Sequence, residues 1–351
     1  MPVKVSGHSR GRRLRMRLSS YMSSSLENTK VGRGNRECDL MRYSVGIDMG
    51  GTWIRAAVGT EEGTVLKKVT VPVDPLADNT SIINQLESLI LEVSCESLGE
   101  INGIGIAAAG KLDLKTSTIV FSPHTSIRSL PLGTLGERLK KPVTLLNDGV
   151  AAALAEWKLG AGKGHDNIVY VGIGTGIGGG VVVDGHLVLG KEGNAHEMGH
   201  MIIDAGGAIE CECGGRGHWE AYTSGSGLPR LSRLLAQSFV GNTPFLQKSL
   251  RGKVEAREVF EYAKNGDNFA LCVVREATRL NAIAIANLVN LYDPSLISVG
   301  GGVAVKNQEF VVSPLQPYVE RFSFNSPPKI VPSPLGEDAP LLGSIISTFG
   351  L

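Results

Sequence analysis

VYVGIGTGIGGGVVVDGHLVLG, Val169 to Gly190, runs as alternating apolar and small residues, breaks at Gly174-Thr175-Gly176, resumes, and turns back at Asp184-Gly185. Alternation of period two marks strands, and Asp-Gly between two such runs is a strong hairpin signal. The implied order is strand, glycine turn, strand, hairpin, strand. The same order occurs upstream in YSVGIDMGGTWIRAAVGTEEGTVLKK, Tyr43 to Lys68. Two copies of one opening predict a duplicated α/β domain, each half presenting a glycine-cornered hairpin to a central cleft, as expected where a polyphosphate lies between halves.

Working outward, strands are expected at 43–49, 54–59 and 64–73, with an amphipathic stretch from Thr80 to about Cys95 and a strand Ile101–Ala107. A helix over 133–140, a strand Val143–Leu146 and a helix Gly149–Leu159 follow, and Met201–Ile203 reads as a strand. A long helical pattern covers 268–292, then a strand Leu296–Val299, three glycines and a closing helix near 340–348. Strands separated by helices after an opening meander indicate an α/β class.

The chain has 351 residues and a net charge of +1, unevenly spread. Residues 1–40 hold nine Lys+Arg against three acids, leaving 26 bases and 31 acids beyond them. The body is mildly acidic and shows no basic face for nucleic acid. The first forty residues are polar, basic and Ser-rich, a composition expected to stay disordered, and Met41 before the first strand is a candidate start of translation. Five cysteines, with only Cys211 and Cys213 close together, argue against a disulfide framework and for a reducing cytoplasm. No apolar run reaches membrane-span length, and no signal-peptide core follows the Arg-rich start.

Asp48-Met49-Gly50-Gly51-Thr52 forms a sharp turn whose amides and Thr52 hydroxyl can face a phosphate while Asp48 faces Mg²⁺. Gly174-Thr175-Gly176 is the partner corner. Gly174, Gly176 and Gly179 satisfy G-x-G-x-x-G, but strand and hairpin follow where a dinucleotide site needs a helix, so that reading is rejected. No Walker A motif is present. Gly301 and Gly302 follow a buried strand and either admit an adenosine or make a tight strand-to-helix turn.

Asn147-Asp148 stands at a strand's carboxyl end before a helix, where an N-cap is the ordinary role. Phosphoryl transfer to an alcohol needs one carboxylate to accept the hydroxyl proton, and Asp148 is the best-placed candidate, with Asn147 on a further hydroxyl. His200, Cys211, Cys213 and His218 have donor types and spacings that close around one Zn²⁺, leaving Glu197 and Glu220 beside it. His196-Glu197-Met198-Gly199-His200 also matches H-E-x-x-H, but that motif needs a continuous helix, which Gly190, Gly193 and Gly199 oppose. Four ligands make a closed, structural site.

The run Glu197 to His200 followed by Cys211 to Glu220 resembles the E-x-x-H and C-x-C-G-x-x-G-C-x-E signature of the ROK group of sugar kinases and repressors. The resemblance covers nearly all of Met41 to Leu351 and differs in having His218 where the family has a third cysteine. It implies a duplicated actin-like ATPase, ribonuclease H-like fold, with lobes at 41–147 plus 336–351 and at 148–335. It further implies ATP phosphates on the two glycine corners with Mg²⁺, and Asp148 as base. Sugar hydroxyls would fall to Gly110, Asn147, Asp148, Glu197, His200 and Glu220, Gly110 lying in the loop Gly105–Asp113. The implied protein is a cytoplasmic homodimer or homotetramer making a hexose 6-phosphate, glucose first, with N-acetylglucosamine, N-acetylmannosamine and fructose as alternatives. A sugar-responsive regulator and a zinc peptidase are the readings from other classes.

Overall fold

The computed structural model describes residues 42–74, 77–94, 100–122, 127–195 and 197–350, so the expectations for residues 1–40 lie outside it. β1 (Tyr43–Met49), β2 (Trp53–Thr60) and β3 (Val65–Pro72) form an antiparallel meander, and β4 (Ile101–Ala108) and β8 (Val143–Asn147) extend it in parallel on the β1 side. Between β4 and β8, β5 (Lys111–Asp113), β6 (Thr118–Phe121) and β7 (Arg128–Pro131) make a small separate sheet that the sequence did not announce. Then β9 (Ile168–Ile173), β10 (Ile177–Val183) and β11 (His186–Leu187) repeat the meander, and β12 (Leu296–Gly300) and β13 (Lys329–Pro332) repeat the parallel extension. Both large sheets therefore share one strand order, which bears out the duplicated α/β fold.

The sheets form where the apolar pattern demands it. β1 buries every residue from Ser44 on, and β12 is buried throughout, as expected of strands covered on both faces. β3 alternates between exposed and half-buried residues, as an edge strand should. Helix α1 (Asn79–Ser94) turns Ile82, Ile83, Leu86, Leu89, Ile90 and Val93 into one core, and α2 (Gly133–Leu139) adds Leu135. The Asn268–Tyr292 helix supplies the larger core of the second half. No helix among the described residues is long and apolar enough to cross a membrane.

One expectation failed. Met201–Ile203 is not a strand but carries a single bridge, Ile202 to His218, because the chain leaves a 3₁₀ turn at Met198–His200 and is held by Trp219 donating to the Met201 carbonyl at 2.9 Å. A β-like trio of apolar residues is too short to impose a ladder when its neighbours are turn-forming glycines.

Helix α3 (Asp148–Lys158) lies between the second sheet and the closing Ala339–Ile346 helix, and small residues make the approach possible. A Cβ built on Gly149 would lie 2.5 Å from the Gly179 nitrogen, and one on Gly343 only 1.8 Å from the Ala151 carbonyl oxygen. Main-chain atoms inside two packed helices cannot step aside. Gly343→Ala is thus expected to cost ~3 kcal/mol or more and to lower the thermal midpoint; an unchanged melting curve would show that the two helices separate freely.

Candidate active site

The first glycine corner is closed by the Gly50 N–H donating to the Trp53 carbonyl at 3.0 Å, which leaves Gly51 and Thr52 exposed. In the second, Gly174 N–H donates to the Gly176 carbonyl at 2.9 Å. Its outward carbonyls are tied back as well: Gly225 and Ser226 N–H groups donate to Gly174 and Thr175 at 2.7 and 3.1 Å. Both corners meet at one cleft of about 760 Å³, walled by Gly50, Gly51, Thr52, Thr175, Gly301 and Gly302 together with Asp48 and Asp148. Gly174 and Gly176 shape the turn behind Thr175. Gly301 has φ +83°, and a Cβ there would meet the Ile173 backbone at 2.6 Å, so glycine is required for the chain to turn at the cleft wall.

Asp48 faces Arg55 in cross-strand register, and the guanidinium makes a two-point contact, with Nε 2.8 Å from Oδ2. Arg55 continues to the Glu337 carbonyl at 2.7 Å and Asp338 at 3.5 Å, and Lys68 also pairs with Asp338. Burial pushes the Asp48 carboxyl up to about 6; Arg55 opposes the rise and the negative Asp148 adds to it. A carboxyl raised above its ordinary value of 3.8 favours the fold most below that value, and the benefit is lost as pH climbs through about 6. Asp48→Asn should accordingly gain up to about 3 kcal/mol over wild type at pH 8 and nothing at pH 4, with Arg55 still held by the Glu337 carbonyl. Equal melting shifts at the two pH values would refute this.

Asn147 caps α3 by accepting from the Gly149 N–H at 2.9 Å, and Asp148 Oδ1 takes the same N–H at 2.8 Å. The capping reading is therefore correct as far as it goes. The Asp148 carboxylate also lines the cleft, and its charge acts on both Asp48 and Glu197. Burial raises the Glu197 carboxyl, with His200 opposing.

His200, Cys211, Cys213 and His218 place four ligand atoms within 4.8 Å of one another. His200 Nδ1 and His218 Nδ1 are 3.3 Å apart, Cys213 Sγ is 3.3 Å from His218 Nδ1, and Cys211 Sγ is 3.9 Å from His200 Nδ1. Ligands around a tetrahedral Zn²⁺ stand roughly 3.3–3.8 Å apart, so the donor set fits that ion. Its closeness depends on Gly215, where a Cβ would meet the His218 ring at 2.3 Å. His196 lies outside the described residues, and the Met198–His200 turn is not the helix a catalytic H-E-x-x-H needs. Glu220 joins the cluster to the second glycine corner: Oε1 is 3.7 Å from Cys211 Sγ, and Oε2 accepts from Ile177 N–H at 2.9 Å, just past that corner. Gly110 has φ +117°, and a Cβ there would meet the Phe121 carbonyl at 2.2 Å, while Asp113 closes the following turn on Lys115 N–H and Thr116.

Arg55, Lys68, Tyr170, Glu337 and Asp338 also line the cleft and were not anticipated. Arg55 alone had a usable signal, its mirror position to Asp48 across the first turn.

The ROK family model matches residues 44–348. A glucokinase of Aeropyrum pernix is 36% identical over 314 residues, covering 87% of this chain and 96% of the relative. The solved ROK hexokinase of Thermus thermophilus superposes with TM-score 0.75 at 32% identity, covering 88% of this chain and 98% of the other. A ROK glucokinase from Streptomyces griseus, solved in complex with glucose and AMPPNP, superposes with TM-score 0.71 at 33% identity over 86% and 97%.

Proposed function

The chain belongs to the ROK family and is a sugar kinase with an actin-like ATPase fold, and from that premise we propose that it transfers the γ-phosphate of ATP to the 6-hydroxyl of a hexose, glucose before others. The observation that carries this reading is the position of Asp148, on the cleft wall beside both glycine corners and electrostatically linked to Asp48 and to Glu197. A carboxylate so placed can accept the hydroxyl proton as the sugar oxygen bonds to the γ-phosphorus and the bond to the leaving ADP oxygen breaks.

The N–H groups around Gly50–Thr52 and at Thr175 are suited to hold phosphate oxygens, and Gly301 and Gly302 to let the nucleotide approach the backbone. Mg²⁺ bound near Asp48 would neutralise phosphate charge. Asn147, Glu197, His200 and Glu220, with the Gly110 loop, form the proposed sugar side. Zn²⁺ on His200, Cys211, Cys213 and His218 would hold that side rigid. The lobes 41–147 plus 336–351 and 148–335 are proposed to close on the substrates and exclude water. A homodimer or homotetramer is proposed on the family resemblance, to be read by sedimentation.

ADP release from Mg-ATP, measured without sugar and with glucose, fructose, mannose, N-acetylglucosamine or N-acetylmannosamine, tests the reading. Turnover highest with glucose is expected. Preference for another sugar would replace glucose, and ADP silence across the panel from folded protein would favour a sugar-sensing role.

A further inference from the structure

We propose that the Tyr170 hydroxyl binds the nucleotide, donating a hydrogen bond to an oxygen of its γ-phosphate; this rests on the kinase reading above. Tyr170 sits within β9, opposite Ser298 of β12 and Gly180 of β10. Two residues nearer the carboxyl edge, Gly172 and Gly300 face each other in register. Residues two apart share a strand face, so a ring at 170 can lean over a pair that has no side chains. A Cβ on Gly300 would lie 2.6 Å from the Tyr170 hydroxyl oxygen, and one on Gly172 3.3 Å from it. Neither glycine has a positive φ, so what they provide is room for the phenol rather than an unusual backbone.

The direction of lean is what matters. The carboxyl ends of β9 and β12 lead into the corners Gly174–Gly176 and Gly301–Gly302, so the hydroxyl points toward the place where both meet the cleft. Tyr170 is 3% exposed and packs on Ala152, Ala153 and Ala339, yet it lines the cleft with Asp48, Asp148 and Thr175. Its hydroxyl has no hydrogen-bond partner among the described residues. Although the ring is buried, the hydroxyl itself opens on the cleft and is not among the sealed, unpartnered polar atoms of the described residues, so a ligand oxygen can take the place of solvent as its acceptor. Burial, and then the negative charges of Glu156, Asp148 and Asp48, push the phenol far above its ordinary value. It stays a neutral donor at working pH. A lysine in its place would pair with those carboxylates, whereas an O–H remains available to a phosphate oxygen.

Tyr170→Phe removes the donor and keeps the ring over the glycine pair. Calorimetry should show a non-hydrolysable ATP analogue bound about fivefold or more weakly, with ADP and glucose affinities and the melting midpoint unchanged. The kcat/KM for ATP should fall about tenfold. Gly300→Ala, whose Cβ would displace the hydroxyl without deleting it, should reproduce the selective loss. Unaltered analogue affinity with kcat/KM within about twofold would overturn the proposal. So would a loss shared equally by ADP, since the contact would then lie away from the γ-phosphate. If wild-type protein turns over no sugar in the panel, the kinase reading fails, and the ratio of analogue to ADP affinity still decides Tyr170.

Discussion

Asp148→Ala is expected to abolish sugar-dependent ADP release, lowering kcat by about 10³-fold or more, while protein folding and ATP binding persist. The size follows from the role. A positioned carboxylate that takes the hydroxyl proton contributes on the order of 10²–10⁴ to a transfer of this kind, and the other carboxylates lining the cleft among the described residues are paired with cations, Asp48 with Arg55, Asp338 with Lys68 and Glu337 with Lys306. Glu197 belongs to the glycine-rich loop, and Asp48 is already committed to Arg55. The fold should survive because the orphan N–H at the start of α3 is shared: when the Asp148 oxygen at 2.8 Å is lost, Asn147 still accepts from Gly149 at 2.9 Å. A loss of at most about 1 kcal/mol is expected from the helix terminus. Asp148→Asn keeps the shape and removes the basicity, so it should be as inactive as the alanine variant. More than a few per cent of wild-type kcat in either would remove Asp148 from the base role.

Removal of one metal ligand should act differently, through stability and sugar affinity. Cys213→Ser is the cleaner variant because Cys213 is exposed, whereas Cys211 is buried and its replacement would also disturb packing. Bound Zn²⁺ contributes folding energy directly wherever the unfolded chain offers no site, and a cluster drawn from one glycine-rich loop is of that kind. The expected outcome is protein without stoichiometric zinc, less stable by ~3 kcal/mol or more, with a melting midpoint lower by roughly 5 °C. Sugar affinity should fall about tenfold, because Glu197 is three residues from His200 and Glu220 is two from His218. ATP affinity should fall less, since the loop reaches the second corner through the Ile177 N–H to Glu220 bond rather than through the metal ligands themselves. Metal analysis, melting and calorimetry on one preparation check this. Full zinc loss with unchanged melting and sugar affinity would sink the scaffold role.

How much of this was legible beforehand differs by residue. The repeated strand, turn and hairpin at Tyr43–Lys68 and Val169–Gly190 could be read because a strand's period and a turn's residue types are local properties. The metal cluster was legible for the same reason: His200 to His218 is a short span, and donor chemistry shows in the letters. The error at Met201–Ile203 arose because a strand needs a partner, and only the folded loop shows that the neighbouring chain makes a single bridge there.

The sequence by itself determined the duplicated α/β architecture, the two glycine corners, the four candidate metal ligands and Asp148 as the candidate base, because each is written in periodicity, turn chemistry or spacing within a few residues. Only the tertiary structure decided that Asp48 is paired with Arg55 and that Arg55 reaches Glu337, 282 residues away. It alone placed the Tyr170 phenol over the Gly172–Gly300 pair, and it alone set α3 on Gly343. Those contacts depend on strand register and on how distant segments close over one another, and a buried carboxyl or an unpartnered hydroxyl is defined only by what surrounds it.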